Sequence, residues 1–352
     1  MGTLCTSYNN DKTGLTTKIY QLLAAPLQEI FCLTKNKYLW SIIMKILKSA
    51  LCAPAVAALG LAVMSGSLQA AVIIDDSFAD GDRASTGALD ADWWSSSQTS
   101  GSNVQADPGS LTLVTGTSGR GMHATFAPQT LAIGDTLSVT YAFTTPTTVG
   151  TNKSTAFKIA LMDFDDAGLA ADQSSSSSSV NPLYVGQAGY MTAFDIDPVG
   201  GGSQDTDFRK HDILDPQGRF LGTTSEWDSM SSSSDAGYAF AANTDYVGVF
   251  SITRTGADSL DLFSSLGLDG GALLDSHTTS DSSAIANNFG MLGFWVNSDT
   301  FGSSNSAGDL DNGLIFTNVT IDSTVSAVPV PGAVWLFGSA LVGLSVLRRK
   351  RS

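Results

Sequence analysis

The central part of this 352-residue chain lacks cysteine and has almost no glutamate. Three cysteines are present, and all of them precede residue 71: Cys5, Cys32 and Cys52. Residues 71–325 can therefore form no disulfide bond, no cysteine metal site and no cysteine nucleophile. Their single glutamate is Glu226, and every other acid there is an aspartate. Because aspartate favours loops and turns whereas glutamate favours helices, this composition indicates a loop-rich β domain.

Basic residues are also scarce in that region. Residues 71–325 contain 31 acidic and 8 basic residues, which gives a formal charge of −23. A protein that binds a phosphate backbone needs clustered lysine or arginine, so the composition excludes nucleic acid as a partner. The whole chain is 43% hydrophobic, which is enough for a sizeable core and too much for a disordered protein.

The N-terminal region contains the pattern of a secretory signal peptide. Lys45 and Lys48 precede an apolar stretch over residues 50–64, and small residues then lead to Ala70. This order of a basic segment, an apolar segment and a small-residue site predicts cleavage between Ala70 and Ala71. The protein is therefore expected to be exported.

The segment before the signal peptide is harder to place. Signal peptides normally begin at the initiator methionine, but 43 residues precede Met44 here. We interpret residues 1–43 as a mis-called extension, with Met44 as the true start. An unusually long basic region of the signal peptide is the alternative.

The C-terminal region contains a short apolar stretch that ends in a basic cluster. Residues 333–347 are uncharged and would form a helix of about 22 Å, shorter than the hydrocarbon core of about 30 Å. Four basic residues follow: Arg348, Arg349, Lys350 and Arg351. Such a cluster holds the carboxyl end in the cytoplasm, so residues 71–327 would lie outside the membrane. Both ends of the chain thus predict the same topology.

The last 25 residues resemble a PEP-CTERM sorting signal. The resemblance is carried by Pro329, Val330 and Pro331, by the apolar stretch that follows, and by the arginine-rich end. It implies an exosortase-type membrane peptidase as a partner, transit through the inner membrane, and a Gram-negative bacterium that makes extracellular polysaccharide. The sequence departs from the family at Val330, where the name-giving glutamate would stand, and this leaves open which sorting enzyme reads it.

Between the two ends, short runs of alternating apolar and polar residues recur without a sustained helical period. The clearest runs are 137–143, 157–161, 190–196, 246–252, 260–262, 289–296 and 315–321. Weaker runs lie near Val72, Leu111, His123 and Phe220. About ten strands over this length predict an all-β fold with one antiparallel β-sandwich, and a β-barrel is the alternative.

The arrangement of these runs resembles the concanavalin-like jelly roll. In that fold a strand near the start, here residues 71–78, often lies beside the last strand, here residues 314–321. Two polyserine runs, 174–179 and 231–234, are expected to be loops, and residues 323–327 a linker into the tail.

The predicted organisation of the chain has five parts. They are an extension over 1–43, a signal peptide over 44–70, the β-sandwich over 71–322, a linker with the proline-rich motif over 323–331, and a transmembrane helix with a basic tail over 332–352. The two ends are expected to direct the export of the domain over 71–322, which we call the cargo domain.

The cargo domain has no recognisable catalytic motif. Glycoside hydrolysis needs two paired carboxyl groups, and the Glu-x-Asp-x-x-Glu motif of jelly-roll glucanases cannot be built from one glutamate. An aspartate pair at Asp195 and Asp197 is the alternative, since residues two apart share one face of a strand. The histidines are scattered at His123, His211 and His277, and no Gly-x-Ser-x-Gly elbow is present. We therefore expect a non-enzymatic protein.

Calcium is the one candidate cofactor. A hard cation prefers several carboxylate and carbonyl oxygens, and loop aspartates can supply them. The candidate ligands are Asp76, Asp80, Asp82, Asp163, Asp165, Asp309 and Asp311. None of these clusters reproduces the spaced calcium-loop motif, and solvated turn aspartates are the alternative interpretation.

Polysaccharide is the candidate ligand, and its binding would need exposed aromatic rings with polar neighbours. The candidates are Trp93, Trp94, Tyr184 and Trp227. Trp93 and Trp94 are adjacent, so in an extended segment they point to opposite sides and only one easily joins the core. Trp295 lies in an apolar strand and is expected to be a core residue.

These features predict a protein of the cell surface or extracellular matrix that serves without catalysis and binds polysaccharide. Two alternatives remain open. One is an extracellular carbohydrate-active enzyme that uses aspartates, and the other is a single-pass envelope protein that is never cut at Pro331.

Overall fold

The computed structural model describes residues within the range 67–328. The described residues are 69–115, 119–149, 157–163, 167–175, 181–195, 206–211, 218–222, 224–233, 240–297, 300–302 and 313–325. Both predicted terminal helices, the extension and the tail lie outside these ranges.

The described residues form fifteen strands. They are β1 (Gln69–Asp76), β2 (Trp93–Ser95), β3 (Val104–Asp107), β4 (Ser110–Val114), β5 (Arg120–Thr130), β6 (Thr136–Thr144), β7 (Phe157–Met162), β8 (Gly189–Phe194), β9 (Thr206–His211), β10 (Asp228–Ser232), β11 (Asp245–Arg254), β12 (Leu260–Leu268), β13 (Leu273–Asp281), β14 (Asn288–Val296) and β15 (Gly313–Val325). Two short 3-10 helices, Ala167–Leu169 and Pro182–Tyr184, precede β8.

The strands form two antiparallel sheets. Sheet A has the order β13-β12-β11-β6-β15-β4-β3, and β1 also pairs with β15. Sheet B has the order β10-β9-β8-β7-β14-β5-β2. Apolar side chains from both sheets form one buried cluster, so the fold is the predicted all-β sandwich and not the alternative barrel.

The main core follows from strict alternation along the strands. On β6, Leu137, Val139, Tyr141 and Phe143 are buried in the cluster between the sheets. The residues between them, such as Thr140, are only half-buried because they point away from sheet B. This pattern leaves a polar outer face on sheet A.

The first and last strands of the domain lie side by side, as the jelly-roll resemblance implies. Gln69 of β1 is opposite Val325 of β15, and Asp76 is opposite Val319. Strand β15 also pairs with Thr136 and Leu137 of β6 through its last residues. The expectation that 323–325 belong to a linker is therefore wrong: alternating threonine, serine and valine extend the strand where two neighbours offer backbone partners.

Two other local expectations are also wrong. Ser231 and Ser232 belong to the edge strand β10, not to a loop, because their backbones pair with β9. Phe220 lies in a turn with a positive φ of 48°, not in a strand. The polyserine run and the apolar run are too short to decide their conformation locally, so tertiary pairing decides it.

Side chains close the sandwich along the edge where β13 of sheet A meets β9 and β10 of sheet B. The hydroxyl of Ser231 and Nε2 of His277 are 2.9 Å apart, and the His277 ring stacks on Phe208. Thr206 donates a hydrogen bond to Asp275. His277 thus joins the two sheets.

Candidate functional site

Trp93 is a core residue and has no exposed ring. It is 0% exposed, and its ring lies 6.1 Å from that of Phe294 between the sheets. Its Nε1 donates to Oδ2 of Asp76 at 2.8 Å. The expectation of an exposed sugar platform is wrong for Trp93, because strand alternation turns it inward.

Tyr184 and Trp227 belong to a second apolar cluster on the outer side of sheet B. We call the segments 181–188 and 218–227, in their described residues, the cover of sheet B. The cluster comprises Ala160, Met162, Leu169, Tyr184, Met191, Phe220, Leu221, Trp227, Met291 and Trp295. Both rings are buried there, so the expectation that they are exposed is wrong.

Local sequence explains how the cover is held. Asn181 caps the 3-10 helix Pro182–Tyr184, and its side chain accepts from the backbone N–H of Leu183. Nε1 of Trp227 donates to the carbonyl oxygen of Phe220 at 3.1 Å. Phe220 itself packs where Gly293 has no side chain, because a Cβ there would overlap its ring. The cover is thus packed directly onto the sheet.

Trp94 points to the opposite side from Trp93 and lies beside His123 of β5. It is half-buried, and its Nε1 is buried without a hydrogen-bond partner in the described part of the chain. Trp94, Tyr184 and Trp227 therefore lie on the same side of sheet B, although three separate parts of the sequence supply them.

Two of the scattered histidines contact backbone that lies over the outer side of sheet B. Nε2 of His123 is 2.7 Å from the carbonyl oxygen of Leu169, and burial lowers the pKa of His123 to about 4. Nδ1 of His211 is 2.7 Å from the carbonyl oxygen of Gln187. These rings anchor covering backbone, and sequence spacing alone gave no sign of this role.

Sheet B also buries an amine that the sequence analysis did not single out. Lys158 is 2% exposed, and its Nζ donates to the carbonyl oxygen of Leu221 at 2.8 Å. Burial, and secondly the charge of Arg209, lower the pKa of Lys158 to about 7. A lysine within the otherwise apolar run Phe157–Met162 could have indicated a buried amine from the sequence.

The calcium candidates that the structure describes are engaged by protein donors. Asp76 is buried and accepts from the backbone N–H of Phe78 as well as from Trp93. Burial raises its pKa more than these hydrogen bonds lower it. Asp80 accepts from the backbone N–H of Asp82 and from Thr86.

The remaining candidate calcium ligands do not form a metal site with Asp76 and Asp80 in the described residues. Asp163 accepts from Nδ2 of Asn288 at 3.2 Å. Asp165, Asp309 and Asp311 lie outside the described residues, as does Asp197 of the proposed carboxylate pair. Within the described ranges, no three histidine, cysteine, aspartate or glutamate side chains are grouped so that they could hold a metal ion.

The outer face of sheet A carries the one exposed aromatic ring among the described residues. Phe263 of β12 is 37% exposed, and its neighbours Leu262 and Ser264 are buried on the opposite face. Its cross-strand partners are Ser251 of β11 and Thr278 of β13. The sequence analysis missed Phe263, although an aromatic residue at the polar phase of an alternating strand was a readable signal.

Hydroxyl groups surround this ring on the outer face. The outward residues of the neighbouring strands include Thr136, Ser138, Thr140, Ser251, Thr253, Ser265, Ser276, Thr278, Ser280, Thr320 and Thr324. The charged residues on the same face include Asp75, Asp261 and Asp322. The one lysine or arginine in the strands of sheet A is Arg254, whose guanidinium donates to the carbonyl oxygens of Leu131, Gly256 and Ala257. We call this surface the hydroxyl face.

The predicted processing sites are largely outside the described residues. Pro329, Val330, Pro331, Arg348 and Arg349 lie beyond them. Ala70 and Ala71 are described and lie in β1, opposite Thr324 and Ser323. Among the residues that the structure describes, none forms a helix of the length and apolarity that a membrane crossing requires.

Comparisons with known proteins return similar structures and no sequence family. No family model matches the chain, and no curated protein matches it. The metal-free lectin I-B4 from Griffonia simplicifolia has a TM-score of 0.41 at 11% identity, over 72% of this chain and 100% of that chain. The endo-1,3-beta-glucanase from Streptomyces sioyaensis has a TM-score of 0.41 at 14% identity, over 73% and 97%. Likeness at this level assigns neither ligand nor activity here.

Proposed function

We propose that this protein is an exported, non-enzymatic component of the cell surface or extracellular matrix that binds a neutral polysaccharide on its hydroxyl face. The observation that carries the proposal is Phe263, an exposed ring between Ser251 and Thr278. Export itself is supported by the signal peptide pattern and by the sorting signal resemblance of the tail.

The chemistry of this surface suits a sugar ring. The apolar face of a sugar stacks on an aromatic ring, while its hydroxyls need donors and acceptors at the ring edge. Serine and threonine supply both, because each hydroxyl donates one hydrogen bond and accepts others. Neighbouring strands repeat such groups about every 4.8 Å, so an extended chain could meet several of them.

The charge of the hydroxyl face selects against acidic ligands. Its charged groups are carboxylates such as Asp261 and Asp322, and the guanidinium of Arg254 already donates hydrogen bonds to backbone carbonyl oxygens. Burial, and secondly the nearby charge of Asp75, raise the pKa of Asp322. An anionic polysaccharide would add further repulsion, so we propose a neutral one.

Binding to a neutral glucan and to an acidic alginate, measured with the full-length protein in mild detergent, tests the proposal. We expect binding to the glucan alone, and a loss of about tenfold, equivalent to about 1.4 kcal/mol, for Phe263→Ala. Ile133→Ala is the matched control, because Ile133 is also exposed but lies outside the face. Equal loss in both variants, or preference for alginate, would contradict the proposal.

The enzymatic alternative has its own test. Incubation of the protein with the same glucans should release no sugar. Sugar release that disappears in Asp195→Asn would favour an aspartate-based enzyme instead. Mass spectrometry of the exported protein addresses the tail: a new carboxyl terminus within 328–331 supports sorting, whereas an intact arginine-rich end supports the single-pass alternative.

A further inference from the structure

Lys158 is an enclosed amine in the middle of sheet B. It lies on β7 between Trp295 of β14 and Ala193 of β8, and the cover closes over it. Its neighbours Phe157 and Ile159 point into the main core, so the Lys158 side chain lies on the outer side. There its Nζ has one hydrogen bond to a described residue, the carbonyl oxygen of Leu221.

No carboxylate compensates this amine within the described residues. Asp207 is paired with Arg209 at 3.0 Å, and Glu226 is paired with Arg219 in the cover. The charged group that acts on Lys158 is Arg209, which has the same sign. A buried cation without a counter-ion is costly, so the neutral amine is favoured and its lone pair is available near neutral pH.

Arg209 provides an unused donor in the same region. Its Nε is buried and has no hydrogen-bond partner among the described residues, whereas its two terminal nitrogens contact Asp207 and the carbonyl oxygen of Trp227. An anion formed at Lys158 would be stabilised by the charge of Arg209, which opposes the protonated amine. Because the cover is closed, the reactant that forms it must be small and uncharged.

We propose that Lys158 is reversibly carboxylated by carbon dioxide, and that the resulting carbamate is stabilised by Arg209. The amine lone pair forms the nitrogen–carbon bond, and one carbon–oxygen π pair moves onto oxygen. The nitrogen then releases one proton to solvent. No oxidant or reductant is needed, and the product carries one negative charge in place of the neutral amine.

Carbon-13 NMR of the full-length protein in ¹³C-bicarbonate tests the step directly. We expect one slowly exchanging carbamate signal, stronger at about pH 8 than at about pH 6, because more of the amine is neutral. Lys158→Met should abolish the signal. Lys210→Met is the matched control, because Lys210 lies on β9 of the same sheet but is paired with Asp281, and it should keep the signal.

Two further measurements test the proposal even if Lys158→Met fails to fold. Arg209→Met should weaken the signal, and added bicarbonate should raise the melting temperature of the wild type but not of this variant. A carbamate signal that persists in Lys158→Met, or a wild-type melting temperature that bicarbonate does not raise, would overturn the proposal.

Discussion

Tyr190 donates its hydroxyl hydrogen to the carboxylate of Asp281 at 2.9 Å and so joins sheet B to sheet A. The same hydroxyl accepts from the backbone N–H of Ile285 at 3.0 Å. Asp281 also accepts from Lys210 and from the backbone of Ser283. Burial raises the pKa of Asp281, but these hydrogen bonds outweigh burial, so the net pKa lies below its ordinary value.

Tyr190→Phe should therefore destabilise the sandwich. The change removes one donor to Asp281 and leaves the N–H of Ile285 without its acceptor, which should lower the free energy of unfolding by about 1–3 kcal/mol. Urea denaturation of both proteins measures it. Ser280→Ala, an exposed change on the same strand as Asp281, should cost less than about 0.5 kcal/mol. Equal stability of Tyr190→Phe and wild type would show that this contact does not join the sheets.

His123 should make the protein lose stability in mild acid. Its pKa is about 4 when folded and 6.5 ordinarily, so the unfolded state binds the proton more tightly. Stability should fall as the pH drops from about 6.5 to about 4, by about 3 kcal/mol in total. In His123→Phe this part of the pH dependence should disappear. Parallel acid profiles of the two proteins would argue against a buried neutral His123.

Lys158 should make the stability of the protein depend on pH in the neutral to alkaline range. Its folded pKa is about 7 against an ordinary 10.5, so the unfolded state again binds the proton more tightly. In carbon dioxide-free buffer, stability should rise between about pH 7 and about pH 10, by up to about 5 kcal/mol. Lys158→Met should flatten this rise, whereas Lys210→Met should retain it. Denaturant midpoints across the range provide the measurement.

Gly248 should tolerate no side chain. It lies on β11 opposite Tyr141 of β6, and an added Cβ would overlap the buried Tyr141 ring. Gly248→Ala should lower the free energy of unfolding by about 1–3 kcal/mol through overpacking. Ser251→Ala on the same strand points outward and should change it by less than about 0.5 kcal/mol. A Gly248→Ala variant as stable as wild type would mean that the ring is free to move.

The fold class could be read from the sequence because strand alternation is local. Leu137, Val139, Tyr141 and Phe143 repeat with a period of two, and this spacing alone predicts a half-buried strand. Edge strands such as β10 and β13 have weaker patterns, because exposed residues on both faces give no contrast. They were missed for that reason.

The candidate site was less predictable because burial of a side chain depends on distant segments. Trp227 and Tyr184 have polar or serine-rich neighbours in sequence, yet they pack with Phe220 and Trp295 in the apolar cluster between the cover and sheet B. His123 contacts Leu169, which is 46 residues away in the chain. The composition of the neighbouring sequence cannot predict contacts between segments that are far apart in the chain.

The sequence by itself determined the alternating strands, the acidic cysteine-free domain and the export pattern at its two ends, since each depends on neighbouring residues or on composition. Only the tertiary structure decided which of the described aromatic rings are covered and that Phe263 is exposed to solvent. It also decided that Lys158 is enclosed beside Arg209. The physical reason is that exposure and charge environment are set by whatever packs against a sheet, and those segments come from elsewhere in the chain.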